Sequence, residues 1–285
     1  MIDWLRFYRI RGWKNRVTWI KPTLYSFLAY TMFGIKPLFV HKYIKLILLN
    51  SIVVAGIAMF AYSLNDFFSA KKEKSFIGEE IRKKNISVSQ AHALCFLPLL
   101  LITGPLFLLS SIKSALLATV LVLFSFVYSS EQFDIKNKKY GWLVLPLSAT
   151  LLFLESYFIF AGFLTRNILF LSIIIFLFAC YMEVHHIIVD QSFGEMRVLP
   201  RKKAKNLLFV FPCISIILSI MFSFYNPIFL VTAIFSIVRT FSLRCTREKD
   251  LVRIRLSSTR PFLSPVYSSY EFLIYGLFGL AGWMI

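Results

Sequence analysis

Two short stretches of this chain hold residue types that do chemistry together. In the first, Asn65, Ser69 and Glu73 fall at i, i+4 and i+8, and Asp66 joins them from the neighbouring row. On a helix these oxygen-bearing side chains share one face. In the second, Glu183, His186 and Asp190 fall at i, i+3 and i+7. Each cluster ends a long apolar run. Oxygen ligands of this kind suit Mg²⁺, which takes one or two carboxylates and completes its shell with water and substrate phosphates. The implied chemistry is a metal bridging a diphosphate. Ionisable residues at the end of an apolar run also serve as plain snorkelling anchors. The pairing of two such ends with Asn, Asp, Glu and His on shared faces favours a site.

The elements that must position these clusters follow from composition. At 58% hydrophobic and 17% aromatic residues, with only 16% charged over 285 positions, the chain is too apolar for an ordinary soluble domain. It reads as an all-α, multi-span membrane helix bundle forming one domain over residues 1–285. Allowing roughly 20 apolar residues per crossing, nine segments are expected, at about 20–35, 44–64, 91–110, 114–129, 142–163, 167–188, 206–224, 227–243 and 267–285. Residues 1–19 carry Arg6, Arg9, Arg11, Lys14 and Arg16 among Trp and Phe, with no small-residue cleavage site. That pattern predicts an interfacial amphipathic helix rather than a signal peptide.

The connections alternate in charge. Those after the second, fourth, sixth and eighth segments are long and basic, with Lys71, Lys72, Lys74, Arg82, Lys83 and Lys84, then Lys136, Lys138 and Lys139, then Arg197, Arg201, Lys202, Lys203 and Lys205, then Arg244 to Arg260. Positive charge marks the cytoplasmic side, so these loops and the N-terminus are expected there, in the cell's inner (plasma) membrane. Lys36, Lys42 and Lys45 in the first outer loop oppose this orientation. The assignment explains most of the net charge of +18 and adds attraction to anionic lipid heads. Nucleic acid is not an expected partner, because the cations are scattered over loops instead of forming one stripe.

Other chemistry finds little support. Cys95, Cys180, Cys213 and Cys245 form no CxxC pair and read as free thiols. His41, His92 and the hydroxyl residues form no triad, and no GxxxxGK or GxGxxG phosphate loop exists. Glu155, Arg239 and Glu271 stand inside apolar runs, where an ionisable group needs a partner or water. A structural pair of Arg239 with a glutamate, or a proton or acceptor pathway, would meet that need.

With these motifs in place, the chain resembles the UbiA superfamily of intramembrane prenyltransferases over nearly its whole length. The family's signature NDxxDxxxD at the end of helix two is similar to Asn65-Asp66-Phe67-Phe68-Ser69-Ala70-Lys71-Lys72-Glu73, with Ser69 at the middle aspartate and Glu73 at the last. Arg82-Lys83-Lys84-Asn85-Ile86-Ser87 through Ala91 resembles the family's arginine and I-S-x-x-x-A run into helix three. Arg11-Gly12-Trp13-Lys14-Asn15, followed by Pro22, is similar to the opening of some members, and Tyr128-Ser129 before Lys136 to the element after helix four. The second signature, DxxxD after helix six, is matched by His186 and Asp190, and Arg197-Val198 stands loosely where Arg-Thr usually follows.

The resemblance implies nine helices with the N-terminus inside, Mg²⁺ as cofactor, and two substrates: a prenyl or polyprenyl diphosphate and an acceptor that the sequence does not select. It implies Asp66, Glu73 and Asp190 as metal ligands and Asp66, Asp190 and His186 as catalytic residues. Asn65, Ser69, Arg82, Lys83, Lys136, Lys139 and Tyr128 are implied in binding the diphosphate. Ionisation would leave an allylic cation, which Tyr62, Phe67, Phe68, Tyr128 and Tyr181 are placed to shield. A terpene cyclase shares this metal chemistry. A lipid-binding or transport protein that keeps the bundle without catalysis is the alternative from another class, and the sequence leaves the oligomeric state open.

Overall fold

The computed structural model describes residues 24–31, 40–70, 96–130, 133, 135, 138–192, 199–245 and 265–280. Helical backbone at 24–31 (α1) is followed by α2 Val40–Ala70, α3 Pro98–Leu109, α4 Ile112–Ser129, α5 Val144–Phe158, α6 Arg166–Ser192, α7 Arg201–Ser223, α8 Leu230–Arg244 and α9 Pro265–Leu280. Short 3₁₀ turns at Gly141–Leu143 and Pro227–Phe229 lead into α5 and α8. The described residues contain no strand. In lipid, backbone N–H and C=O groups must be satisfied within a helix or around a closed barrel, and the described spans take the helix.

Six of the described helices are long and apolar enough to cross a membrane. The chain is thus a multi-span membrane bundle. The helix expected at 91–110 is described only as the twelve residues of α3, short of the roughly 20 that a full crossing needs. The helix expected at 1–19 lies outside the described residues. Hydroxyl residues inside the spans mostly bond back to the carbonyl one turn earlier, as Ser51, Thr119, Ser125, Thr150, Ser172, Ser215 and Thr240 do, so they bring no unpaired donor into the lipid.

Local chemistry sets where the helices start and stop. Ser111 caps α4 by accepting a hydrogen bond from the Ser114 N–H, and Asn226 accepts one from Ile228 N–H before Pro227 opens the turn into α8. α3 ends at Ser110, whose φ of 53° is left-handed and lets its N–H reach the Leu106 carbonyl.

Packing follows chain order from α4 to α9, with α2 against both α3 and α4. α1 closes the circuit. Ser26 on α1 accepts a hydrogen bond of 2.8 Å from Asn50 Nδ2 on α2, and Tyr25 reaches the rings of Phe153 on α5 and Phe272 on α9. Two glycines allow close approach. A Cβ on Gly56 would stand 2.9 Å from the Ile102 side chain and 3.3 Å from the Pro98 carbonyl, and one on Gly276 would stand 2.5 Å from the Phe27 ring.

One end of the bundle is tied by aromatic contacts. Phe170 at the start of α6 stacks on Phe222 at the end of α7, with ring centroids 3.9 Å apart, and Phe229 meets both edge-on. Tyr30, Tyr43 and Phe160 join the end of α1, the start of α2 and the α5–α6 turn, while Lys113 at the start of α4 bonds the Gly162 carbonyl of that turn. The starts of α2, α4, α6 and α8 therefore share this end, and their last turns share the other. The connections that follow α2, α4, α6 and α8 leave from that other end.

The expectation drawn from the basic connections puts this second end on the cytoplasmic side, and it can be tested directly. In a cysteine-free background, a membrane-impermeant thiol reagent should reach Lys202→Cys only from the cytoplasm and Tyr225→Cys only from outside. The reverse pattern would overturn the orientation.

Candidate functional site

Both clusters stand at the end of the bundle opposite the aromatic ties. α2 carries Asn65, Asp66 and Ser69 on its last two turns, and α6 carries Glu183, His186 and Asp190 on its last three. Buried Val53, Val54, Ile57, Phe60, Leu64 and Phe67 fix the packed face of α2, and Asn65 and Phe68 are half-buried beside them. α6 is enclosed nearly all round: Glu183, Val184 and His185 are all buried, with Leu208 and Phe211 of α7 and Leu243 of α8 in the same core. In a helix this apolar and this largely enclosed, the few polar residues are informative.

His186 is the partly open member of the second cluster, at 34% side-chain exposure, and its Nδ1 lies 3.8 Å from Glu183 Oε2. His185, which the spacing argument passed over, is buried with its ring 6.4 Å from that of Tyr181. Asp190 stands on the last turn of α6, before Gln191, whose Nε2 donates to the Leu199 carbonyl and ties the following connection back. Tyr128 lies half-buried on the last turn of α4, at the same end. Lys139 is exposed at the approach to α5, with Nζ 5.2 Å from the Tyr140 ring. Glu73, Arg82, Lys83 and Lys136 lie outside the described residues. Among the described residues no three His, Cys, Asp or Glu side chains gather as a metal site.

Deeper in the bundle the structure pairs the isolated ionisable residues. Arg239 on α8 is 3% exposed and donates from Nη2 to Glu271 Oε2 on α9 at 3.3 Å, and Glu271 is 1% exposed. Thr232 Oγ1 donates to Glu271 Oε1 at 2.6 Å and lies 2.6 Å from the Tyr275 hydroxyl. The guanidinium also covers two rings of α6, 4.9 Å from Phe178 and 5.2 Å from Tyr181. An arginine inside a span costs up to about 3 kcal/mol to insert, and these contacts offset that cost. Thr232, Ser236 and Arg239 recur at i, i+4 and i+7 and are all buried, a polar stripe on α8 that the sequence shows once the inward face is known. The Tyr181 ring is therefore already engaged by a resident cation on one face, which weakens its expected role as a shield for a substrate cation.

Glu155 on α5 is fully buried and separately satisfied. Ser114 Oγ of α4 donates to its Oε1 at 2.6 Å and Ser156 Oγ to its Oε2 at 3.4 Å.

The architecture defines a class: an intramembrane helix bundle with carboxylate-bearing helix ends collected on one side. No protein-family model matches the chain, and no curated protein matches it in sequence. Solved structures do match. A UbiA homolog from Archaeoglobus fulgidus superposes with a TM-score of 0.71 at 17% identity, covering 97% of this chain and 98% of that one. The same homolog bound to DMAPP and Mg²⁺ gives 0.68 at 17% identity, over 98% and 96% of the two chains. Bound to GPP and Mg²⁺ it gives 0.65 at 17% identity, over 98% and 99%. The described helices have the UbiA fold.

Proposed function

We propose that this protein is a Mg²⁺-dependent prenyltransferase, which moves a prenyl or polyprenyl group from its diphosphate to an acceptor at the cytoplasmic side of the membrane. The observation that carries the reading is the arrival of the two clusters at one end of a fold whose solved relative holds DMAPP or GPP with Mg²⁺. The donor set fits the ion: carboxylates from two helices, with amide, hydroxyl and imidazole groups beside them, leave room for water and phosphate oxygens.

In this reading Asp66, Asp190 and Glu73 would hold Mg²⁺, and Asn65, Ser69 and Tyr128 would contact the diphosphate. The ion supplies neutralisation of the charge that builds on the leaving group. Arg82, Lys83, Lys136 and Lys139 add cations around the same oxygens. As the allylic carbon–oxygen bond breaks, its electron pair leaves with diphosphate. The acceptor nucleophile then bonds the carbon and gives up a proton, for which His186 would be the acceptor, with Glu183, 3.8 Å from its Nδ1, orienting the ring. The apolar interior houses the tail.

A second reading rests on Ser69, which stands where the resemblance expects an aspartate. A bundle that binds the diphosphate without turning it over would tolerate that loss. Purified protein incubated with GPP, with and without Mg²⁺, separates the two: Mg²⁺-dependent diphosphate release supports transfer, and binding without release supports the second reading.

A further inference from the structure

We propose that Arg239 is a positioning residue for the α6 end of the candidate site, acting through the rings of Phe178 and Tyr181. This inference rests on the proposed transfer reaction and adds a residue that no signature motif contains.

Packing alone gives no reason for the arginine. A buried ion pair rarely stabilises a fold more than apolar residues of the same volume would, because removing both charges from water offsets their attraction. What the guanidinium supplies instead is a plane. It covers two rings one turn apart on α6, at 4.9 and 5.2 Å, and its Nη2 is held at 3.3 Å by Glu271, whose other oxygen is held by Thr232. Phe272, next to Glu271, meets the Phe178 ring edge-on at 6.0 Å. Two helices thus grip the same face of α6, and the grip fixes its rotation as well as its depth.

That rotation matters because Glu183, His186 and Asp190 follow Tyr181 on the same continuous helix. A roll of about 20° carries a side-chain tip at the helix surface, roughly 6 Å from the axis, through about 2 Å. Misplacing a catalytic group by about 1 Å can cost on the order of a hundredfold in rate. Lysine would keep the charge facing Glu271 but not the plane.

The test is Arg239→Lys in the full chain. Diphosphate release from GPP should lose about tenfold or more in kcat, with KM for GPP unchanged and more Mg²⁺ required for half-maximal rate. Phe178→Leu combined with Tyr181→Leu should give the same loss, and adding Arg239→Lys to that pair should cost nothing further. Labelling by a soluble maleimide reads position without activity. In a cysteine-free chain, Arg239→Lys should change the labelling rate at His186→Cys severalfold and leave that at Lys202→Cys unaltered. Unchanged labelling at position 186, or additive losses in kcat, would overturn the positioning role. If the original chain releases no diphosphate but the labelling still shifts, the transfer reading fails and the positioning of α6 stands.

Discussion

Asp66→Asn and Asp190→Asn are each expected to lower Mg²⁺-dependent diphosphate release by roughly a hundredfold or more, the scale of losing one group that stabilises developing charge. In the proposed reading each change removes a charged ligand from a set already short of carboxylates, since Ser69 and His186 stand where the resemblance expects acids. Neither should unfold the protein. Asparagine keeps the shape, and both positions lie on the last turns of their helices. Ser69→Asp reports in the opposite direction. Restoring the acid should lower the Mg²⁺ needed for half-maximal release by roughly tenfold, about what one added ligand charge supplies. In a chain that has given up metal chemistry the same change adds only a repulsive charge beside Asp66. Release measured against Mg²⁺ for the four chains decides the matter, and flat, equal responses would end the prenyltransferase reading.

Glu271→Leu should produce the largest loss of stability in the bundle. It leaves the Arg239 guanidinium, 3% exposed, with no carboxylate. Breaking a buried pair from one side costs about 3–5 kcal/mol, whereas replacing both partners by apolar residues is often close to neutral. Arg239→Met together with Glu271→Leu should therefore recover most of the stability that Glu271→Leu removes. Thermal loss of monodispersity in detergent measures both. A double variant as unstable as the single one would mean that Thr232 and Tyr275, not the charges, hold α9 in place.

The sequence made the class and most of the frame legible because the bilayer imposes a coarse rule. A span needs a long apolar run, and Val40–Ala70, Arg166–Ser192 and Arg201–Ser223 announce themselves by it. The common end of the two clusters was legible too, since counting spans is enough to decide which helix ends lie together. Partnerships between distant segments were not. Arg239 and Glu271 were visible as charges out of place, but nothing in the order of residues says that Thr232 and Tyr275 complete the arrangement or that the guanidinium lies on Phe178 and Tyr181. Those contacts depend on helix rotation, which an apolar run on all sides does not specify. For the same reason His185, beside the more conspicuous His186, became distinguishable only as the buried member of the two.

Glu155 and Arg239, two of the buried ionisable residues, differ in when they meet their partners during synthesis. Glu155 enters the membrane after Ser114, which precedes it by 41 residues and is already in place to donate to it. Arg239 enters before Glu271, which follows 32 residues later. Until α9 leaves the ribosome, α8 carries a cation without its counter-charge through a span of only 18 residues, Pro227–Arg244. Insertion of α8 is therefore expected to be less favourable alone than together with α9, so that a chain truncated before residue 265 should integrate α8 less completely than the full chain does.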